Sequence, residues 1–202
     1  MSRYTGAKLK IIRRLGSLPG LTKKNFKGQS PKSAKKRVQK KITQYGLRLA
    51  EKQKLKFNYG LSETQLLNYM KLAKKRKGVT GNIFLQLLEM RLDNILFRAG
   101  LTPTIAAARQ FVNHKNLTVN RLCVSIPSYQ CKAGDVLRVK SPLPARKIIK
   151  AFSQSSTLLN IPPHICFDKR NLEIKVLTLI ERDWVALKIN ELFVIEFYSR
   201  KI

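Results

Sequence analysis

Acidic residues are what this chain most lacks: 11 Asp and Glu stand against 41 Lys and Arg among 202 residues, a formal charge of +30. A compact globule with that excess repels itself, so a polyanionic partner is the natural reason to keep it, and solubility alone is a poor one. Cysteine is scarce as well. Cys123, Cys131 and Cys166 contain no C-x-x-C pair, and the first 120 residues have none. That argues against a disulfide framework or a Cys-rich zinc site and leaves three reduced, mostly buried thiols as the default. His114 and His164 stand too far from other ligand types to make a metal centre, so neither metal nor cofactor is expected. Long apolar runs are missing too. None approaches the roughly 20 residues of a spanning helix, and the longest stretch free of Asp, Glu, Lys and Arg, Ala151–Phe167, contains Gln154, Asn160, Pro162 and Pro163. No membrane partner is expected. The basic start shows no apolar block with a cleavage site and no Ser enrichment of a transit peptide. No G-x-G-x-x-G, G-x-x-x-x-G-K or H-E-x-x-H string occurs, so the common nucleotide and zinc-protease chemistries have no anchor here, and no small-molecule substrate is expected.

What is present is a graded positive charge over an adequate core, with apolar residues at 44%. Residues 1–82 hold 23 basic and 2 acidic residues, 83–150 hold 11 and 3, and 151–202 hold 7 and 6. The anionic partner therefore belongs to the first two thirds, and the last quarter reads as scaffold or protein-contact surface. Lys23 to Lys41 form a nearly acid-free run punctuated by Gly28. Such a block behaves as an interaction arm, so residues 1–45 are expected to order only on RNA. Tyr4, Phe26, Tyr45, Phe57 and Tyr59 are interleaved there, and packing against helices is preferred over stacking on bases.

Periodicity then organises the chain. Ser62–Lys77 reads as a helix opened by a Ser62–Gln65 capping box, with Leu66, Tyr69, Met70 and Ala73 as its apolar stripe and Lys74, Lys75, Arg76 and Lys77 at its negative end. Asn82–Ala99 reads as one longer helix closed by Gly100. Thr104 is the expected N-cap of a short third helix through Ile105, Ala108, Phe111 and Val112, which leaves Arg109, Asn113 and His114 outside. After His114 the period becomes 2. Leu117/Val119, Val124/Ile126 and Val136–Val139 predict a small antiparallel sheet. Arg146–Phe152 is a possible helix and Leu172–Leu179 a strand, while Asn190–Tyr198 suits either state.

Residues 90–135 carry a resemblance. The strings MRLDNILFRAG (Met90–Gly100), TPTIAAARQFVNHKNLTVN (Thr102–Asn120), IPSY (Ile126–Tyr129) and KAGD (Lys132–Asp135) resemble the S-four RNA-binding domain in order and spacing. Beyond that module, Met1–Thr22, Glu51–Leu66 and Ile189–Arg200 resemble the S-four family of small-subunit ribosomal proteins, in its plastid type. The resemblance implies an α+β fold: a mainly helical body formed from both chain ends, with an inserted module of two helices and a small antiparallel sheet. The expected domains are a basic rRNA-binding extension at 1–45, a helical domain at 46–89 completed by 151–202, and the module at 90–150. It implies binding to a multi-helix junction in the 5′ domain of small-subunit rRNA, nucleation of assembly, and a role in translational accuracy. It also implies contact with ribosomal protein S-five and a place where mRNA enters. The chloroplast stroma is the implied location, a cyanobacterial cytoplasm the alternative. Plastid encoding would explain the missing transit peptide.

The residues expected on rRNA are Arg3, Lys8, Lys10, Arg13, Arg14, Lys23 and Lys24 on the arm, then Lys52, Lys54, Lys74, Lys75 and Arg76. On the module they are Arg91, Arg98, Arg109, Asn113, His114, Lys115, Asn120 and Arg121. The arginines offer planar forks for phosphate, and Asp93 among them is expected to orient Arg91 or cap a backbone rather than do chemistry. Two departures from the family pattern stand out. The zinc-binding cysteines of many bacterial relatives are missing from the N-terminus, which excludes zinc. Arg121 also replaces the glycine of an Asn-Gly turn, so it must use another turn or bear strain. Two rivals remain: an enzyme carrying the module, supported only if modified uridine were turned over, and a basic DNA-architectural protein, separable by competition between structured rRNA and duplex DNA.

Overall fold

The computed structural model describes residues 4, 6–22, 43–140 and 161–199. Arg3, Lys23, Lys24, Phe26, the Lys23–Lys41 run and the segment Arg146–Phe152, for which a helix is expected, lie outside the described residues. Within them are seven α-helices and one five-stranded antiparallel sheet, an α+β fold.

Helices α1 (Lys8–Leu15), α2 (Gln44–Asn58), α3 (Glu63–Lys75), α4 (Thr80–Glu89) and α7 (Glu191–Ser199) build the helical body. Its core includes Leu18, Leu55, Leu66, Met70, Phe84, Leu88, Val194 and Tyr198, so both ends of the chain contribute. The start of α3 is as the capping box predicts: Gln65 N–H donates to Ser62 Oγ at 3.2 Å and Ser62 N–H to Gln65 Oε1 at 3.1 Å. The ambiguous Asn190–Tyr198 segment is helical because Val194, Phe197 and Tyr198 bury one face against α2, α3 and α4.

Helices α5 (Leu92–Arg98) and α6 (Ile105–Asn113) form the module's corner, and Thr104 caps α6 through Ala107 N–H at 3.2 Å, as expected. They cover a sheet of β1 (Leu117–Val119), β2 (Leu122–Cys123), β3 (Val136–Val139), β4 (Ile165–Asp168) and β5 (Glu173–Val176), in the order β2-β1-β3-β5-β4. Leu117, Val119, Leu137, Val139, Ile174 and Val176 point inward onto Leu92, Ile95, Leu96, Ala108 and Val112.

Several sequence expectations need correction. The single helix Asn82–Ala99 is two helices. Arg91 is extended (φ −72°, ψ 143°) and bridges to Gln130, while Leu92 and Asp93 N–H groups donate to the carbonyls of Tyr129 and Pro127. A distant loop thus satisfies the first donors of α5, and unbroken apolar spacing cannot reveal that. The second strand is Leu122–Cys123 rather than Val124/Ile126, because a two-residue turn pairs Val119 with Leu122. The segment 151–202 does not belong wholly to the helical body. Its β5 extends the module's sheet by pairing with β3, β4 pairs with β5 at the edge, and only the part from Ile180 onward packs into the helical core. Cysteines are not mostly buried: Cys131 is, whereas Cys123 and Cys166 are exposed.

Nor does the whole of 1–45 await RNA. Helix α1 is folded onto the body through Ile11, and the turn after it is tied at both ends. Gly20 N–H donates to Asn58 Oδ1 at 2.9 Å, and Ile105 N–H donates to Gly20 O at 3.1 Å. Tyr4 and Phe57 meet edge to face at 5.4 Å, Tyr45 lies 6.0 Å from Phe197, and Tyr59 is buried, so these aromatics pack against helices as expected.

A methyl group at Gly20 would come within 2.5 Å of Ile105 Cδ1 and 2.7 Å of Asn58 O. Gly20→Ala is therefore expected to destabilise the free protein by about 1–3 kcal/mol through overpacking, read from urea unfolding. An unchanged midpoint would mean that this turn is not docked in solution.

Candidate nucleic-acid interface

The module and the helical body meet at two buried carboxylates. Asp93, fully buried, receives Nε and Nη2 of Arg91 at 3.0 and 2.9 Å and Nε of Arg109 at 2.7 Å. Arg109 then donates its terminal nitrogens to the carbonyls of Tyr59 and Gly60 at the end of α2. Arg91 donates to Tyr69 Oη on α3 at 2.6 Å. Burial opposes the Arg91 charge, but Asp93 and Tyr69 beside it raise its pKa on balance. Glu89 is the second pivot. It accepts from Tyr59 Oη and Asn94 Nδ2 and lies 3.9 Å from Arg98 Nε. Burial pushes its carboxyl above the ordinary range against the pull of Arg98. Arg98 also donates to the Trp184 carbonyl at 2.6 Å.

These contacts correct part of the expected RNA set. Arg91, Arg98 and Arg109 point inward: Asp93, Tyr69 and backbone carbonyls take the forks of Arg91 and Arg109, while Arg98 donates one terminal nitrogen to the Trp184 carbonyl and keeps its buried Nε beside Glu89 without a hydrogen-bond partner among the described residues. Lys52 is buried, paired with Glu63 at 2.9 Å and lying 4.4 Å from the Phe197 ring centre. Lys54 is half-buried on Glu51 at 2.6 Å. Asn120 has a structural job at the hairpin turn: it donates to Asp135 Oδ1 and accepts Val136 N–H, both at 2.9 Å. The part given to Asp93, orienting Arg91, is what the geometry shows.

The remaining candidates are outside, in three groups. Helix α1 presents Lys8, Lys10, Arg13 and Arg14. The end of α3 presents Lys74, Lys75 and Arg76, with Lys71 and Lys77 beside them. The α6–β1 corner and hairpin present Asn113, His114, Lys115 and Arg121. Among the described residues, Lys74, Lys75, Arg76, Lys115 and Arg121 form no ion pair, whereas Asp93, Glu89, Glu63 and Glu51 are engaged within the scaffold. Lys71, Lys77, Lys132 and Lys140 are exposed cations that the sequence reading left out. Lys71 and Lys77 extend a run already visible, whereas nothing local marks Lys132 or Lys140.

An S-four-type module with a guanidinium-filled joint and acid-free outer corners is an RNA-binding architecture, and the comparisons agree. Residues 3–89 match the family described as Ribosomal protein S4/S9 N-terminal domain, and residues 90–137 match the S4 domain. The chain is 60% identical over 202 residues to a protein of Emiliania huxleyi called small ribosomal subunit protein uS4c, with both chains fully covered. It is 55% identical over 201 residues to the uS4c protein of Guillardia theta and 53% over 201 to the uS4 protein of Nostoc punctiforme, again across the full length of each. The chain belongs to the S4 family of small-subunit ribosomal proteins, a family of structural proteins rather than enzymes. The algal relatives carry the chloroplast designation, in agreement with the plastid-type expectation, and the cyanobacterial relative agrees with the alternative.

His164 lies buried beside this joint, and neither ring nitrogen has a hydrogen-bond partner among the described residues. Burial lowers its pKa to about 4, and Arg98 adds to the shift. The unfolded chain then binds the proton more tightly, so this contribution to stability is complete above the ordinary histidine pKa of about 6.5 and is lost as pH falls toward the folded value. His164→Phe is expected to flatten the fall of the urea midpoint between those pH values, and a pH profile unchanged by the substitution would refute the assignment.

Arg109→Ala would leave buried Asp93 short of one partner and remove the donor to the part-buried Tyr59 carbonyl. It is expected to lower the unfolding free energy of the RNA-free protein by about 2–4 kcal/mol. A variant as stable as the parent would show that this guanidinium is not needed by the fold.

Proposed function

We propose that this protein is a structural component of the small ribosomal subunit that binds the 5′ domain of small-subunit rRNA at a multi-helix junction. There it nucleates assembly and contributes to translational accuracy. The observation that carries the proposal is the separation of charge. Buried acids consume the cations of the joint, and the outer end of α3 and the α6–β1 corner keep theirs unopposed on the two regions that match the family. A rigid positive corner suits folded RNA, which is recognised by backbone and shape. The names of the relatives support the ribosomal setting. The family resemblance supports contact with ribosomal protein S-five and a place where mRNA enters. The chloroplast stroma is the proposed location, and a cyanobacterial cytoplasm is the alternative.

Binding dominated by phosphate contacts releases counterions, so affinity should fall steeply with salt. Replacing Lys74, Lys75 and Arg76 together by alanine is expected to reduce the slope of log affinity against log salt by roughly 2–3 units, since each phosphate contact contributes about 0.9. Filter binding with a junction fragment of small-subunit rRNA measures this, and duplex DNA should compete poorly. Endogenous protein that fails to co-sediment with the small subunit after a salt wash would overturn the proposal.

A further inference from the structure

The tip of the β1–β2 hairpin combines three features that the general RNA-binding reading does not explain. Asn120 and Arg121 hold positive φ values of 48° and 72°, as a two-residue hairpin turn requires. Glycine would occupy the second of these positions without strain, yet a long cation stands there. Next to it, Leu122 is 73% exposed, the most exposed large apolar side chain among the described residues. It lies on β2, the edge strand of the sheet.

The tip is also rigid. Asn120 is held by Asp135 Oδ1 and Val136 N–H, and the other oxygen of buried Asp135 accepts Lys132 N–H at 2.8 Å. Arg121 and Leu122 are thus presented from a fixed frame, which lowers the ordering cost of binding. Exposed Lys115, itself at φ 58°, stands near the base of the hairpin, where Cys123 Sγ approaches its carbonyl at 3.7 Å.

A continuous A-form duplex offers phosphates and 2′-hydroxyls to this surface but little that an isobutyl group can cover. The face of an unstacked base does offer apolar area. We infer that the Arg121–Leu122 tip docks on a nucleotide outside a duplex, with the guanidinium on its phosphate and Leu122 against its base. This rests on the proposed function and deepens it: the module reads an unpaired position of the rRNA junction, whereas the α3 and α1 cations hold paired segments by their backbones.

The test uses the full chain with two RNAs of equal length, a junction fragment of small-subunit rRNA and a perfect duplex. Leu122→Ser is expected to weaken junction binding about three- to tenfold, the value of a partly buried leucine. It should leave the salt slope and duplex binding unchanged, and Leu122→Met should keep parental affinity. Arg121→Gly is expected to raise the thermal midpoint of the free protein, weaken junction binding, and reduce the salt slope by about 0.9. The inference fails if Leu122→Ser binds the junction as the parent does, or weakens both RNAs alike. It also fails if Leu122→Ser binds free junction RNA normally but is lost from reconstituted subunits, because Leu122 would then face a protein. A parent protein that holds junction and duplex equally would defeat the functional reading itself and the inference with it.

Discussion

The Asp93 carboxylate is the group on which the arrangement of the two bodies depends. It lies in the first turn of α5, yet both guanidinium groups it holds reach elsewhere: Arg91 to Tyr69 on α3, Arg109 to the carbonyls just after α2. A charge buried this deeply is tolerable only when fully paired, and its partners are useful only while the two bodies keep their relative position. The backbone shares the constraint. The bridge between Arg91 and Gln130 interrupts what would otherwise be one helix, and that break turns α5 toward the sheet.

With so few acids in the chain, where they are placed decides where positive charge remains. Asp93 and Glu89 neutralise the joint, Glu63 and Glu51 neutralise Lys52 and Lys54, and Glu191 and Glu173 serve Arg182 and Arg138. What is left uncompensated is peripheral: the end of α3 and the hairpin corner. An interior that pairs its own charges and an exterior that does not is how a strongly basic chain can fold alone and still present a field to a polyanion. Docking of Gly20 against both Asn58 and Ile105 adds a mechanical link, because the residues that follow α1 touch the helical body and the start of α6 at once.

Local signals in the chain were readable because they act over three or four residues. Ser62 with Gln65 and Thr104 before Ile105 each reflect a backbone group satisfied nearby, and the change from period 3.6 to period 2 after His114 reflects side chains alternating between two faces. The α+β class and the RNA-binding character followed from these patterns, the charge imbalance and the resemblance. The errors over the cations have one physical origin. A guanidinium suits a phosphate and a buried carboxylate equally well, so nothing in the spelling of Arg91, Arg98 or Arg109 says which it will meet. The same holds for Lys52, whose neighbours in sequence are polar and whose neighbours in space are Glu63 and Phe197.

By itself the sequence determined the caps, the apolar stripes, the gradient of charge and the membership of the family, all of which are set by residue type and short spacing. Tertiary structure alone decided that β4 and β5 leave the C-terminal part of the chain to complete the module's sheet, and that the apolar run through Met90 breaks. It also decided which cations stay outside. Several of those outcomes depend on partners far away in the chain, as for Arg109 with Asp93, 16 residues before it, and Arg98 with Trp184, 86 residues after it. Whether a charged group faces solvent or a buried partner is a property of the packed interior, which exists only once the chain has closed on itself.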